Sequence, residues 1–155
     1  MAYWLMKSEP DCFSIDDLAS KKTAPWDGVR NYQVRNMFRD DMQPGDLAFF
    51  YHSSCPQPGV VGLMEIVSRA YPDPTQFEPK HEHYDARSKR EEPRWLLVDV
   101  KFKSKFERPV LLDELRKHEA KFTGLRILER GTRLSVTPVS APHWKAILKL
   151  AGEKA

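Results

Sequence analysis

Leu47-Ala48-Phe49-Phe50-Tyr51-His52 and, beyond the proline-rich loop Ser53 to Pro58, Val60-Val61-Gly62-Leu63-Met64-Glu65-Ile66-Val67 are the runs on which the fold turns. Each is a short apolar stretch rich in aromatic or β-branched residues, and the turn Gln43-Pro44-Gly45-Asp46 sets off the first. Such runs read as central strands, here paired as a hairpin, with Gly62 permitting close backbone approach.

Toward the N-terminus, Ala2 to Met6 reads as a buried first strand stopped at Lys7-Ser8-Glu9-Pro10. Ser14 followed by Asp17 has the form of a helix N-cap with an acid at N3, and Ile15, Leu18 and Ala19 supply the apolar side. A loop is expected from there to Trp26-Asp27-Gly28. Between Asn31 and Asp40, Tyr32, Val34, Met37 and Phe38 fit a short helix imperfectly. Toward the C-terminus, Pro72 to Glu92 is polar and broken by prolines, a long loop with one helical turn, and loops of that length are usually functional or mobile. Arg94 to Phe106 alternates: Leu96, Val98, Val100 and Phe102 share one face, and Lys101, Lys103 and Lys105 share the other. A helix over Val110 to His118, a short strand over Leu134 to Pro138, and a terminal helix opened by Ser140 and Pro142 and running through Leu150 complete the reading. The expected fold class is α+β, a mixed-strand barrel-like body with short flanking helices, and residues 1–155 are expected to form one domain.

Composition bounds the function. The 155 residues suffice for a core without metal or disulfide, and a net charge of +3 is a mild basic bias that permits polyanion binding without proving it. Two cysteines are too few for a disulfide framework, and the N-terminus lacks the pattern of a signal peptide. The expected location is therefore cytoplasmic, or nuclear in a eukaryotic source. No apolar run approaches the ~20 residues of a membrane span, so no membrane partner is expected.

Pro25-Trp26-Asp27-Gly28-Val29-Arg30-Asn31-Tyr32-Gln33-Val34-Arg35-Asn36 crowds flat aromatics, guanidinium groups and amides into one segment. Aromatic rings stack on nucleobases, an Arg fork grips phosphate or a guanine edge, and an amide matches a Watson–Crick edge. That is the inventory of a base reader. No catalytic motif competes: there is no Gly-x-Ser-x-Gly elbow, P-loop or HExxH. His52, Cys55, His81 and His83 do not fall at a standard zinc spacing, and neither metal nor cofactor is expected.

Tyr3-Trp4-Leu5-Met6-Lys7-Ser8-Glu9-Pro10, the block from Trp26 to Asn36, Gly45-Asp46-Leu47-Ala48-Phe49-Phe50-Tyr51-His52-Ser53 and Gly59-Val60-Val61-Gly62 together closely resemble the EVE domain family. Tyr84-Asp85 before Ser88, Trp95, and Arg133-Leu134-Ser135-Val136 extend the resemblance over nearly the whole chain. It implies a PUA-like pseudo-barrel related to the YTH readers of methylated adenine. It also implies a non-enzymatic reader of modified bases, with 5-methylcytosine or 5-hydroxymethylcytosine in DNA as the leading ligand. Modified RNA is the rival, and a protein-interaction module the second alternative. A domain with no nuclease attached either acts through an effector protein in trans or merely binds.

The candidate site follows from residues and resemblance together. Trp26 lies in a polar loop, where an exposed stacking platform is expected; the structural alternative is a loop Trp plugging the core. Trp4, inside an apolar strand, is expected in the core. Lys7 and Ser8 end the first strand as the same pair does in YTH readers, for phosphate and base respectively, or are a solvated lysine and a turn serine. Val29 and Arg30 lie within the base-reading segment. Asn31, Tyr32, Arg35 and Asn36 open the second helix, where Asn31 can equally be the N-cap and Tyr32 a core anchor. Tyr51, His52 and Ser53 end a strand, either lining the mouth with Tyr51 as a second aromatic wall and His52 as donor to a base carbonyl, or standing as ordinary strand-end residues. Tyr84, Asp85 and Ser88 either close over a flipped base, with Asp85 accepting from an exocyclic amine such as cytosine N4, or form a capped loop turn. Arg133 and Ser135 resemble the family's closing element. The lysine stripe Lys101, Lys103 and Lys105 is more simply a solvated, protected strand face.

Overall fold

The computed structural model of the protein describes residues 1–129 and 134–153. Strands run over Tyr3–Ser8 (β1), Thr23–Pro25 (β2), Leu47–His52 (β3), Gly59–Ile66 (β4), Tyr71–Pro72 (β5), Leu96–Leu97 (β6), Asp99–Leu111 (β7) and Val136–Val139 (β8). Helices are Ile15–Lys21 (α1), Tyr32–Asn36 (α2), Leu112–Lys117 (α3) and Ala141–Leu150 (α4). The principal sheet has the order β2-β7-β4-β3-β1-β8 and is mixed: β1 lies parallel to β3, and every other pair is antiparallel. β5 and β6 form a separate ribbon. Two register shifts between β4 and β7 bend the sheet, and bulges of this kind increase local twist, so it curls into a half-barrel with short helices about it. The expected α+β pseudo-barrel is the observed architecture.

Period-two alternation sends each strand's side chains to opposite faces, and both faces are covered. From β3, Ala48 and Phe50 join Trp4, Met6, Ile15, Leu18, Val34 and Phe38 in one core cluster. Phe49 and Tyr51 join Leu5, Leu115, Trp144 and Ile147 in the other. Burial on both sides explains why β1 and β3 read as continuous apolar runs instead of alternating ones. Trp4 is core, as expected, and its indole N–H donates to buried Asp46, which also accepts from Ala2 N–H and Gln43 N–H. That carboxylate ties the start of the chain to the turn before β3.

Several boundaries depart from the sequence reading for identifiable reasons. The loop expected before Trp26 contains β2, three residues held at the sheet edge by pairing with β7. The long strand from Arg94 is interrupted at Val98 and continues past Phe106 to Leu111, because a register shift between Val60 and Gly62 accommodates the residues around Pro109. α3 consequently starts at Leu112, not Val110. The imperfect periodicity after Asn31 reflects a change of helix type: α2 passes into a π-helical turn, Met37–Asp41, closed by Met42 N–H on Met37 O. The last strand lies slightly later than expected, at Val136–Val139. Lys103 and Lys105 pair with Glu65 and Asp16, so the lysine stripe is a solvated, ion-paired strand face.

Gly62 is where β4, β7 and α1 meet: a Cβ there would stand 2.5 Å from Ser104 O and 2.8 Å from Ile15 Cδ1. Backbone cannot yield as a flexible side chain can. Gly62→Ala is expected to lower stability by roughly 1–3 kcal/mol, the cost of overpacking. Urea unfolding checks this, with a lower midpoint at unchanged slope as the expected result and an unchanged midpoint as the contrary one.

Candidate nucleic-acid interface

A cavity of about 730 Å³ opens where the end of β1, the C-terminal end of α1 and the segment after β2 converge. Its size is that of small-ligand pockets. Trp26 and Phe13 are its aromatic members, and the strap His81–His83 lies across one side.

The Trp26 segment is fixed by one buried acid. Asp73 has no exposed side-chain surface; it accepts from Gly28 N–H at 2.8 Å and from Arg30 at 3.1 Å through one oxygen, and from Thr75 N–H and hydroxyl through the other. Burial pushes its carboxyl up, but the bonds from Thr75, Gly28 and Arg30 outweigh it and hold the pKa below the usual carboxylate value. Arg30 also donates to His83 O, Val29 O and the Thr75 hydroxyl, so every N–H of its guanidinium has a partner. This Arg builds the wall. Its donors are not free for phosphate or a guanine edge, a correction to the expectation drawn from residue type. Gly28 adopts φ +80°, and a Cβ there would stand 2.7 Å from His83 Nε2, so glycine lets the strap close down on the segment.

Of the expected site residues, the cavity gathers Lys7, Ser8, Trp26, Val29, Arg30, Asn31 and Ser135. Trp26 differs from the exposed platform expected of it. It is 7% exposed, edge-on to Phe50 with centroids 5.4 Å apart, and its backbone N–H donates to Val98 O. A ring packed into the core that also lines the cavity combines both readings of that residue. Lys7 N–H donates to Ser135 O, joining β1 to the segment before β8, and burial lowers the Lys7 pKa. The Ser8 hydroxyl donates to Phe13 O at 2.6 Å. Asn31 caps α2 through its side-chain oxygen to Val34 N–H.

Other expected residues stand elsewhere. Tyr51 is 2% exposed on the opposite face of the sheet, because alternation along β3 gives the cavity side to Phe50; burial raises its phenol to about 12. His52 Nε2 accepts from Ile15 N–H at 3.1 Å, satisfying a free amide at the start of α1, and burial lowers its pKa and so favours the neutral acceptor. Ser53 N–H donates to Ser8 O. Tyr32, half exposed and not a core anchor, lies against Trp95 with centroids 4.7 Å apart, and the Arg35 guanidinium lies over its ring at 4.8 Å while donating to Asn36 and Arg94 O. Asp85 accepts from the Trp95 indole N–H at 2.7 Å and from Arg87 N–H, and Ser88 bridges Gln76 to Arg94 N–H. They brace the long loop internally and do not line the cavity. Tyr84 is exposed outside it, and Arg133 lies outside the described residues.

The sequence reading missed Phe13, Lys21, Asp27, Glu82 and His83 as cavity residues. Phe13 sits beyond a proline turn with no pattern around it, and His83 reaches the site only through the tertiary contact with Gly28. Among the described residues no group of His, Cys, Asp and Glu side chains is arranged to hold a metal ion, and no helix is long and apolar enough to cross a membrane.

Asp73→Ala would leave Arg30 and Gly28 N–H without their acceptor. A cost of roughly 1.5–3 kcal/mol, that of a charged hydrogen bond, is expected in chemical denaturation, with the cavity wall loosened. Because the folded Asp73 pKa is depressed, its contribution is full above the ordinary carboxylate pKa and is lost as pH falls through the folded value. The stability gap between wild type and Asp73→Ala should therefore narrow below about pH 4; a gap constant down to pH 2 would contradict this account.

Comparison with known proteins agrees with this architecture. A family model described as the EVE domain matches residues 2–150. Thymocyte nuclear protein 1 of Mus musculus is 50% identical over 165 residues, spanning 96% of this chain and 73% of the mouse protein. The crystal structure of human THYN1 in complex with 5-methylcytosine-containing DNA superimposes with a TM-score of 0.93 at 42% identity, covering 100% of both chains. A Pseudomonas syringae protein superimposes with a TM-score of 0.92 at 49% identity, covering 97% of this chain and 99% of that one. The chain belongs to the EVE domain family.

Proposed function

We propose that this chain is a non-enzymatic reader that takes one flipped modified cytosine, 5-methylcytosine or 5-hydroxymethylcytosine in DNA, into the cavity beside Trp26. The observation that carries the reading is this cavity in a chain superimposable over its full length on a human relative bound to 5-methylcytosine-containing DNA. The aromatic faces of Trp26 and Phe13 suit a flat base, and Lys7 and Lys21 offer positive charge to a phosphate. In this reading selectivity comes from shape, because a methyl group fills space that is otherwise empty. One such group is worth about 1–3 kcal/mol, which sets a ceiling of roughly 10 to 200-fold on discrimination. Residues 1–155 would act as one domain, with any response to the mark supplied by an effector protein in trans.

Fluorescence titration with matched DNA and RNA oligonucleotides carrying cytosine, 5-methylcytosine or 5-hydroxymethylcytosine tests the proposal. Preference for a modified DNA strand is expected; equal binding to all strands that merely tracks salt would overturn it, and preference for the RNA would replace the polymer. Because Trp26 is also core, truncation to Ala would confound affinity with folding, at roughly 3–5 kcal/mol. Trp26→Phe and Trp26→Leu remove similar volume, but only Phe keeps an aromatic face. Leu should weaken binding about ten-fold or more relative to Phe, and equal affinities would remove Trp26 from the base contact.

A further inference from the structure

We propose that Asp27 reads the polar edge of the flipped base, its carboxyl accepting from the exocyclic amine at C4 while donating the acid proton to ring N3. The proposal rests on the reading above and names the specificity-determining residue of that same site. Asp27 lines the cavity next to Trp26, and its backbone is pinned on both sides, by Trp26 N–H on Val98 O and by Gly28 N–H on Asp73. No other side chain among the described residues hydrogen-bonds its carboxyl. Most of the cavity's other polar side chains are committed or of the wrong kind, although Glu9, which accepts from the Cys12 thiol, and the Ser135 hydroxyl also line it. Arg30 is fully engaged in the wall, Ser8 donates to Phe13 O, and Asn31 oxygen caps α2. Lys7 and Lys21 can only donate, whereas an amine needs an acceptor. Glu82 stands out in solvent at 82% exposure. Asp85, the acceptor expected from sequence, is occupied by Trp95.

The electrostatics favour the protonated carboxyl more than they would for an ordinary aspartate. Burial and then the neighbouring charge of Asp73 push the Asp27 pKa above its ordinary value, while His83 and His81 pull it back. Asp27 stands at the mouth and is exposed as a residue, which keeps the effect below that of a fully desolvated acid. A neutral acid presents one donor and one acceptor side by side, the complement of cytosine N3 and N4. Binding should accordingly draw on the protonated form and weaken as pH rises above the free Asp27 pKa.

The test compares the full chain with Asp27→Ala and Asp27→Asn on two DNA probes, one carrying 5-methylcytosine and the other 5-methylpyrimidin-2-one, which keeps the ring and methyl but lacks the amine. Any difference in how readily the probes flip acts on all proteins alike, so the readout is the ratio of discriminations. Wild type should favour the amine-bearing probe by roughly ten-fold more than Asp27→Ala does. Asp27→Asn, whose amide also pairs a donor with an acceptor, should keep that discrimination while losing the weakening of binding that follows Asp27 ionisation as pH rises. Equal discrimination by wild type and Asp27→Ala overturns the role of Asp27, and retained preference for 5-methylcytosine over cytosine would show that the broader reading survives it. If wild type shows no such preference, both fail.

Discussion

The buried carboxylate of Asp73 is the constraint from which the cavity is built. It stands at the start of a helical turn far along the chain from the Trp26 segment, yet it accepts from Gly28 N–H and Arg30 and so determines where that segment runs. Arg30 then reaches His83 O, which holds the strap over Gly28. A charge with no solvent exposure is tolerable only when fully bonded, and here each oxygen has two donors. The result is a loop segment tied at Gly28 and Arg30 to a buried acid, the kind of anchoring a shape-reading pocket needs.

A second constraint comes from the sheet. Because β3 and β1 are buried on both faces, one register fixes which aromatic faces the cavity and which faces the α4 side. Phe50 supports Trp26 edge-on, and Phe49 stacks on Trp144. The site therefore rests on a core packed from both sides, and its floor shares residues with the hydrophobic cluster that stabilises the fold.

Much of this was legible in the sequence. The paired strands, the Ser14–Asp17 capping box, the Asn31 cap and the Ser140 start of α4 follow from local chemistry, and the observed contacts match them. What was not legible is tertiary. Arg30 looks like a phosphate ligand until Asp73 and His83 are seen around it, and Tyr51 looks like a mouth residue until the alternation of β3 is anchored in space. Trp26 could be read as platform or as core, since neighbours in sequence do not reveal that a ring packed into the core also lines a cavity. Asp27 was passed over for Asp85 because two acids in polar loops look alike in sequence; only the hydrogen bond from Trp95 separates them.

The account's central claim is that one base enters the cavity, and the most direct test is nuclear magnetic resonance on a complex with DNA carrying a 13C-labelled 5-methyl group on a single cytosine. The claim predicts a ring-current shift of that methyl signal on binding and nuclear Overhauser contacts to the indole of Trp26. A methyl signal that stays at its duplex position, with contacts confined to surface lysines, would contradict it.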